Sequence, residues 1–221
     1  MTFLKGKLEA FMKFKAFKAL VENEANLKIK CLKSDNGGEF TSNEFSEFFE
    51  TRGIKRRFSA AKTLRQNGVV ERKNKTVQEA TRTMLKEAKL HDSYWREAVY
   101  TTVYVQNRGQ LRVNSHKTPY ELWFGRPVSV KYFRVFGSKC YIKREDDNLG
   151  KFEYRTNEGI FLGYSSTKKT YKCYNIRLHK IIESANVTVD DTKSRKVQIQ
   201  ESMDVEETDD EEIDAKKGEE S

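Results

Sequence analysis

Asp35 and Glu71 are the residues through which this chain could do chemistry. They stand in LKIKCLKSDNGGEF and QNGVVERKNKTVQE, with 35 residues between them at positions 36 to 70. The first carboxylate ends a strand-like run, and the second lies near the start of a long basic amphipathic stretch. Two acids converging from a strand end and a helix suit Mg²⁺, which prefers octahedral oxygen and is commonly held by one or two carboxylates with water and phosphate. A pair of such ions, about 3.5–4 Å apart, activates an attacking oxygen and steadies a leaving one in phosphoryl transfer. Asn36, Gly37 and Gly38 would let a substrate backbone come close, because glycine has no Cβ in the way. No Asp precedes position 35.

On a helix carrying Glu71, the residues Asn74, Lys75, Gln78 and Arg82 follow at +3, +4, +7 and +11 and share one face. A carboxylate beside such a stripe makes sense if the cations hold phosphates while the acid holds metal. Each residue also has a plainer reading. Asp35 before Asn-Gly-Gly is a common turn residue, and Glu71 could complement the helix dipole or pair with Lys75. A lysine-rich helix face is most often solvated surface.

The elements that must position these residues follow from periodicity. Ala10, Phe14, Phe17 and Val21 fall on one helical face, with Lys13 and Lys18 turned elsewhere. Leu27, Ile29 and Cys31 alternate with Lys28 and Lys30, predicting a half-buried strand that runs into Ser34-Asp35. Thr41 and Glu44 form a capping-box pattern ahead of Phe45, Phe48 and Phe49, and Gly53 is a C-terminal stop. Ile54 to Phe58 reads as a short strand. A long helix is predicted from about Val69 to Leu90, with Val70, Val77, Thr81, Met84, Leu85 and Ala88 as its buried stripe. Another spans Ser93 to Asn107, carrying Trp95, Val99 and Val103. Beyond Gly109, Pro119 and Pro127 bracket a Tyr/Leu/Trp/Phe cluster, and the Phe and Trp clusters are expected in the core. Tyr132–Phe136, Cys140–Lys143, Gly159–Tyr164 and Lys172–Tyr174 are β-type runs that suggest a small antiparallel barrel. His179 is placed on a β-type run, satisfied or exposed rather than a ligand.

Composition sets the partner class. The 221 residues are 37 % hydrophobic and 34 % charged, with a formal net charge of +9. From Glu201 to Ser221 there are 11 acidic and 2 basic residues, net −9, so the other 200 residues hold 40 basic and 22 acidic groups, net +18. A body that basic points to a polyanion, most simply DNA. The acidic end, from roughly Lys193 onward, reads as a solvated, disordered appendage. Cys31, Cys140 and Cys173 are odd in number without a CxxC pair, and His91, His116 and His179 have no HxxxH spacing, so a disulfide framework and a zinc site are not suggested. No run approaches the roughly 18 apolar residues of a membrane span. These features place the body in the nucleus or cytoplasm rather than outside the cell.

The string LKSDNGGEF, GIKRRFS, QNGVVERKNKTVQEATRTML resembles the core of copia-type retrotransposon integrases, members of the retroviral integrase superfamily. In that family a triad of Asp, Asp and Glu commonly has 35 residues before the Glu. The resemblance continues through KTPYELWFGRPVSVKYFRVFGSKCYIK and EGIFLGYSSTKKTYKCYN, which look like the region after the core with its SH3-like module, and it spans about Phe3 to Val189. It implies an RNase H-like α/β core of mixed sheet and flanking helices, truncated here, then a small SH3-like β module and a disordered acidic tail. The implied divisions are 1–110 for the partial catalytic core, 111–150 for a connector with the aromatic cluster, 151–192 for the β module and 193–221 for the tail. The second Asp maps onto Asp35 and the Glu onto Glu71, sharing Mg²⁺ (or Mn²⁺), while Asn74 and Lys75 correspond to helix residues near DNA, with Gln78 and Arg82 beside them. DNA and a homo-oligomer are the implied partners.

The chain departs from the family pattern in three ways. The first triad Asp would precede the segment resembling Thr2-Phe3-Leu4-Lys5, and an N-terminal His/His/Cys/Cys zinc domain is missing. Where the family usually reads Thr-Pro-Gln-Gln-Asn-Gly, this chain has Thr63-Leu64-Arg65-Gln66-Asn67-Gly68, and loss of the proline is expected to loosen the loop before Glu71. Absence of the first strand is also expected to leave ladder edges exposed and the chain marginally stable. The expectation is a DNA-binding relic with weak metal affinity and impaired catalysis. The alternatives are an active strand transferase, if an upstream segment or partner chain supplies the third acid, and a recruited interaction module whose acidic tail masks its basic groove.

Overall fold

The computed structural model describes residues 2–6, 9–34, 42–58, 64–144 and 154–194. The first unit is a helix followed by a strand–helix–strand crossover: α1 (Ala10–Ala25), β1 (Cys31–Ser34), α2 (Asn43–Arg52) and β2 (Lys55–Phe58). β1 and β2 pair in parallel, Cys31 opposite Lys55 through Ser34 opposite Phe58, and α2 is the crossover that parallel strands require. Ser42 caps α2, its side chain accepting from the Phe45 N–H, and Gly53 ends it at φ 62°. The cap is therefore Ser42, one residue after the expected Thr41, which lies outside the described residues. Phe11 and Phe14 of α1 meet Phe45, Phe48 and Phe49 of α2 with ring centroids 4.9–6.5 Å apart. Ala10, Phe45, Phe49 and Ile54 are the buried members of this phenylalanine core.

Two expectations shift in phase here. Phe17 is 52 % exposed, and Phe11 takes its place in the core. Leu27 and Cys31 are exposed, while Ile29 and Leu32 turn toward the phenylalanines. The alternation breaks because Ile29 N–H donates to Glu22 Oε1 at 2.7 Å instead of joining a ladder, so the strand begins two residues later. Lys18 is not turned away either: its ammonium lies 2.6 Å from Glu22. That bond, first, and the Ile29 N–H hold the Glu22 carboxyl below its usual range.

The second unit is built on α3 (Leu64–Ala88) and α4 (Trp95–Gly109), joined by a 3₁₀ turn at Asp92–Tyr94. They run antiparallel: Thr81 Oγ1 is 3.2 Å from Thr102 Oγ1, and Lys73 Nζ donates to Gln106 Oε1 at 2.8 Å. Val77, Thr81, Leu85 and Ala88 are buried as expected, but Val70 is 52 % exposed. Lys73 already faces the last turn of α4, so everything before it on α3 overhangs the end of its partner helix. The helix also starts at Leu64, ahead of the expected Val69. Thr63 lies outside the described residues, but Leu64 to Gly68 is helical rather than a loosened loop. With Leu64 where the family pattern has its proline, nothing there removes an N–H or clashes with the preceding turn.

After α5 (Pro119–Phe124) come β3 (Ser138–Lys143), β4 (Thr156–Tyr164), β5 (Tyr171–Asn175), β6 (Lys180–Ser184) and β7 (Val187–Ser194). They form one five-stranded antiparallel sheet in the order β6-β5-β4-β3-β7. Its strand β3 comes from within the segment read as a connector. The expected strand at Tyr132–Phe136 is absent. Phe133 N–H turns back to the Val130 carbonyl, Arg134 N–H donates to the Tyr164 hydroxyl, and Val135 N–H donates to Asp191, so side chains take the donors a ladder would need. His179 sits at φ 51° in the turn before β6, not in a strand. The cluster at α5 is not core: Leu122, Trp123 and Phe124 are each nearly half exposed. A six-residue helix capped at both ends, by the Thr118–Glu121 box and by Gly125, has one face on the body and leaves the rest in solvent.

Strand β4 is covered on both sides. Ile160 and Leu162 pack with Leu85, Ala88, Tyr94 and Ala98 of the helices, while Phe161 faces Cys140, Ile142 and Cys173 on the opposite face. Thr101 Oγ1 donates to the Leu162 carbonyl at 2.8 Å, fastening α4 to the strand. Gly163, at φ 136°, leaves the room for this, because a Cβ there would collide with Thr101 Oγ1. Gly137, at φ 82°, likewise admits Ala88 of α3.

Burial in this interface displaces several titrations. Tyr94 and Tyr164 are each pushed up to about 12, chiefly by desolvation. Burial likewise raises the Glu97 carboxyl, with Arg96 and Lys172 pulling weakly the other way.

Two outcomes follow. Gly163→Ala should lower unfolding free energy by about 2–3 kcal/mol through overpacking and backbone strain, read by urea denaturation. Glu97 binds its proton more tightly in the folded chain, so its contribution is most favourable below the ordinary carboxylate pKa and is lost as pH rises through the raised value. Glu97→Gln should therefore stabilise the protein at pH 7, with the gain shrinking toward pH 4. A gain independent of pH would show that ionisation of Glu97 is not what costs stability.

Candidate nucleic-acid face

The long helix α3 presents the predicted stripe as one surface. Glu71, Asn74, Lys75, Gln78 and Arg82 are all exposed, and on an α-helix they span roughly 16 Å along the axis. What fixes the rotation of the helix is the adjoining stripe, where Val77, Thr81, Leu85 and Ala88 are buried against α4 and the sheet. Thr81 also returns its hydroxyl to the Val77 carbonyl at 2.7 Å, which satisfies a buried polar group within the helix.

The simplest structural role for Glu71, a pair with Lys75, is not the arrangement found. Lys75 reaches the other way, to Glu79 at 3.8 Å, with both side chains largely exposed. Such a contact is worth little and yields readily to a stronger anion. Glu71 makes no ion pair among the described residues. Arg82 sits over the Trp95 ring, its guanidinium carbon 6.0 Å from the centroid. That contact holds the charge at the surface without neutralising it.

Lys73 behaves differently from its neighbours. Its hydrogen bond to the buried Gln106 ties the front of α3 to the last full turn of α4. Its role is to fix the helix, which the spacing alone gave no means of separating from the role expected of Lys75. The overhang places Glu71 just beyond that tie.

Asp35 lies outside the described residues. β1 ends at Ser34 and leads directly toward it. Among the described residues no group of three or more His, Cys, Asp or Glu side chains is assembled to hold a metal. Glu71 is the one member of the expected acid pair among the described residues. A cleft of about 410 Å³ between α2 and β2, bordered by Ser46, Glu50 and Arg56, involves none of the predicted residues. No helix among the described residues is long and apolar enough to cross a membrane.

A polar group that periodicity did not single out is Asn175, fully buried at the end of β5. The signal was present: Tyr171, Cys173 and Asn175 alternate inward, and an asparagine at a core position of a strand needs a partner.

Comparison with known proteins places the chain. Residues 138–210 match the family described as Retroviral polymerase SH3-like domain, which takes in the sheet from β3 onward. The chain is 36 % identical over 192 residues, 87 % of its length, to the Retrovirus-related Pol polyprotein from transposon TNT 1-94 of Nicotiana tabacum. It is 33 % identical over 188 residues, 85 % of its length, to the corresponding polyprotein from transposon RE2 of Arabidopsis thaliana. It spans only 14 % and 13 % of those two proteins. Among solved structures, the HTLV-2 integrase catalytic core domain in complex with magnesium (trimeric form) is similar at 22 % identity and a TM-score of 0.39, over 52 % of this chain and 69 % of that one. By sequence, the chain belongs with the retrovirus-related Pol polyproteins of transposons, as a segment about one-seventh their length.

Proposed function

We propose that this segment acts in DNA integration by holding DNA along the exposed face of α3, with Asp35 and Glu71 as two acids of an integrase-type metal site. The observation that supports the reading best is the unbroken exposed row of Glu71, Asn74, Lys75, Gln78 and Arg82. An acid without an ion pair among the described residues stands beside two cations whose own contacts are weak. In this reading Lys75 and Arg82 meet phosphates, Asn74 and Gln78 donate to phosphate or sugar oxygens, and Glu71 stays free for a divalent ion. Kinship with transposon Pol polyproteins and the 35-residue spacing support the same assignment.

We assign this segment DNA binding along α3, with Asp35 and Glu71 as the acids it contributes to that metal site. Mg²⁺ or Mn²⁺, when bound, would supply charge stabilisation at the phosphate. The residues' own part is to position the strand. The basic body, net +18 over 200 residues, supplies sequence-independent attraction. The nucleus is the compartment this role requires.

Duplex binding should weaken steeply with salt. Lys75→Gln with Arg82→Gln should reduce the slope of log K against log salt by about 1 for each lost phosphate contact, measured by fluorescence anisotropy on two unrelated duplexes. An unchanged slope would remove α3 from the interface. Mn²⁺ should bind the chain, and Glu71→Gln should weaken that binding in a calorimetric titration. Undiminished Mn²⁺ affinity in this variant would remove Glu71 from the metal site.

A further inference from the structure

We propose a second, separate anion site on the five-stranded sheet: a phosphate-group pocket built around Asn175, on the face opposite α4. The cleft there has a volume of about 220 Å³, and its border includes Lys143, Arg144, Asn157, Asn175, Arg177 and Ser184. It draws on the ends of β3, β5 and β6, the start of β4 and the turn after β5. The site goes beyond the DNA face on α3 and does not rest on it.

Asn175 carries the inference. The residue is fully buried, and its side-chain orientation is set because Oδ1 accepts from the Leu178 N–H at 3.1 Å. Nδ2 is left as a donor, itself buried, with no hydrogen-bond partner. Buried donors in folded proteins nearly always have an acceptor, and an orphan calls for a bound group. Water would satisfy an amide, but it gains nothing from what surrounds this one. Lys143, Arg144 and Arg177 bring three cations to the border. Among the described residues the one carboxylate on the border, Glu183, is engaged by Lys172 at 3.5 Å.

The neighbouring polar groups are arranged as donors. Arg177 is held in place by its Nε–H, which donates to the buried Asn157 Oδ1 at 3.0 Å. Ser184 Oγ accepts from the Asn186 N–H at 3.1 Å, so its own proton is available to the cleft. An amide, a hydroxyl, an ammonium and guanidinium groups from separate elements suit oxygens that diverge tetrahedrally better than the two coplanar oxygens of a carboxylate. The shared chemistry is a phosphate group, either free phosphate or one phosphodiester of a nucleic-acid strand.

Nitrogen-15 NMR of the full chain tests this. Inorganic phosphate, against chloride at equal ionic strength, should shift the Asn175 side-chain amide saturably, together with Arg144 and Arg177. Asn175→Asp keeps the oxygen that Leu178 uses and replaces only the donor, and it should weaken phosphate binding roughly tenfold or more. Arg177→Gln, at an exposed position, should do the same and carries the test if the first variant folds poorly. A short oligonucleotide without terminal phosphates that saturates the same resonances identifies the strand backbone as the source; saturation by inorganic phosphate alone identifies the free ion. Equal shifts with chloride, or undiminished binding in both variants, would overturn the site. Lys75→Gln with Arg82→Gln should leave this titration unchanged, so failure here and failure of the α3 face are told apart.

Discussion

The docking of α4 on β4 is the contact on which the rest of this structure depends. β4 is buried on both faces, and a strand so placed must be covered on each side by something specific. One cover is the apolar stripe of α3 and α4 around Leu85, Tyr94 and Ala98. The other is the sheet's own inner face around Cys140, Phe161 and Cys173. The Thr101 hydroxyl on the Leu162 carbonyl sets how far α4 can slide, and Gly163 sets how close it comes. Because α3 is tied to α4 at Thr81–Thr102 and at Lys73–Gln106, the rotation of α3 follows from the same contact. The exposed row bearing Glu71 is thus positioned by a strand nearly a hundred residues later in the chain.

That dependence explains which parts of the fold were legible in the sequence. Helix existence and the faces of α2 and α3 were largely readable because their apolar spacing is local: Phe45, Phe49, Val77, Thr81 and Leu85 are buried where periodicity puts them, whereas on α4 only Val99 of Trp95, Val99 and Val103 is buried. Misreadings arose where a long-range partner decided the matter. Val70 fits the stripe yet lies beyond the end of α4, so no surface exists to cover it. Cys31 fits the alternation, but Glu22 intercepts the Ile29 N–H and resets the phase of the strand. Tyr132 to Phe136 has strand composition, but Tyr164 and Asp191 take its N–H groups. Nothing in the sequence near those positions announces those partners.

The candidate site was legible in another sense. Residue types and spacing named Glu71 and its companions, and their shared exposure on one helix face follows from the 3.6-residue repeat. The two acids nevertheless hang from different cores. β1, which leads to Asp35, packs through Leu32 on the phenylalanine cluster, whereas α3 packs on α4 and the sheet. Geometry at a metal tolerates errors of only about half an ångström. A metal cleft of the kind proposed would therefore be set by how rigidly those cores are joined, not by either acid's own helix or strand.

Charge placement carries the functional reading a step further. Across the parallel pair, Lys33 stands directly opposite Arg57 in register, both exposed. Neither has a carboxylate partner among the described residues. Like charges directly opposite one another on neighbouring strands are destabilising, and the chain has enough acid to relieve them: 33 Asp and Glu in all, of which 11 are placed between Glu201 and Ser221. The acid is instead segregated at one end of the sequence while cations accumulate on β1, β2 and the outer face of α3. Segregation of this kind works against folding through self-repulsion and in favour of capturing a polyanion. Added salt then has opposite effects on the two processes: it screens the repulsion within the folded body and would weaken the proposed hold on a phosphate backbone.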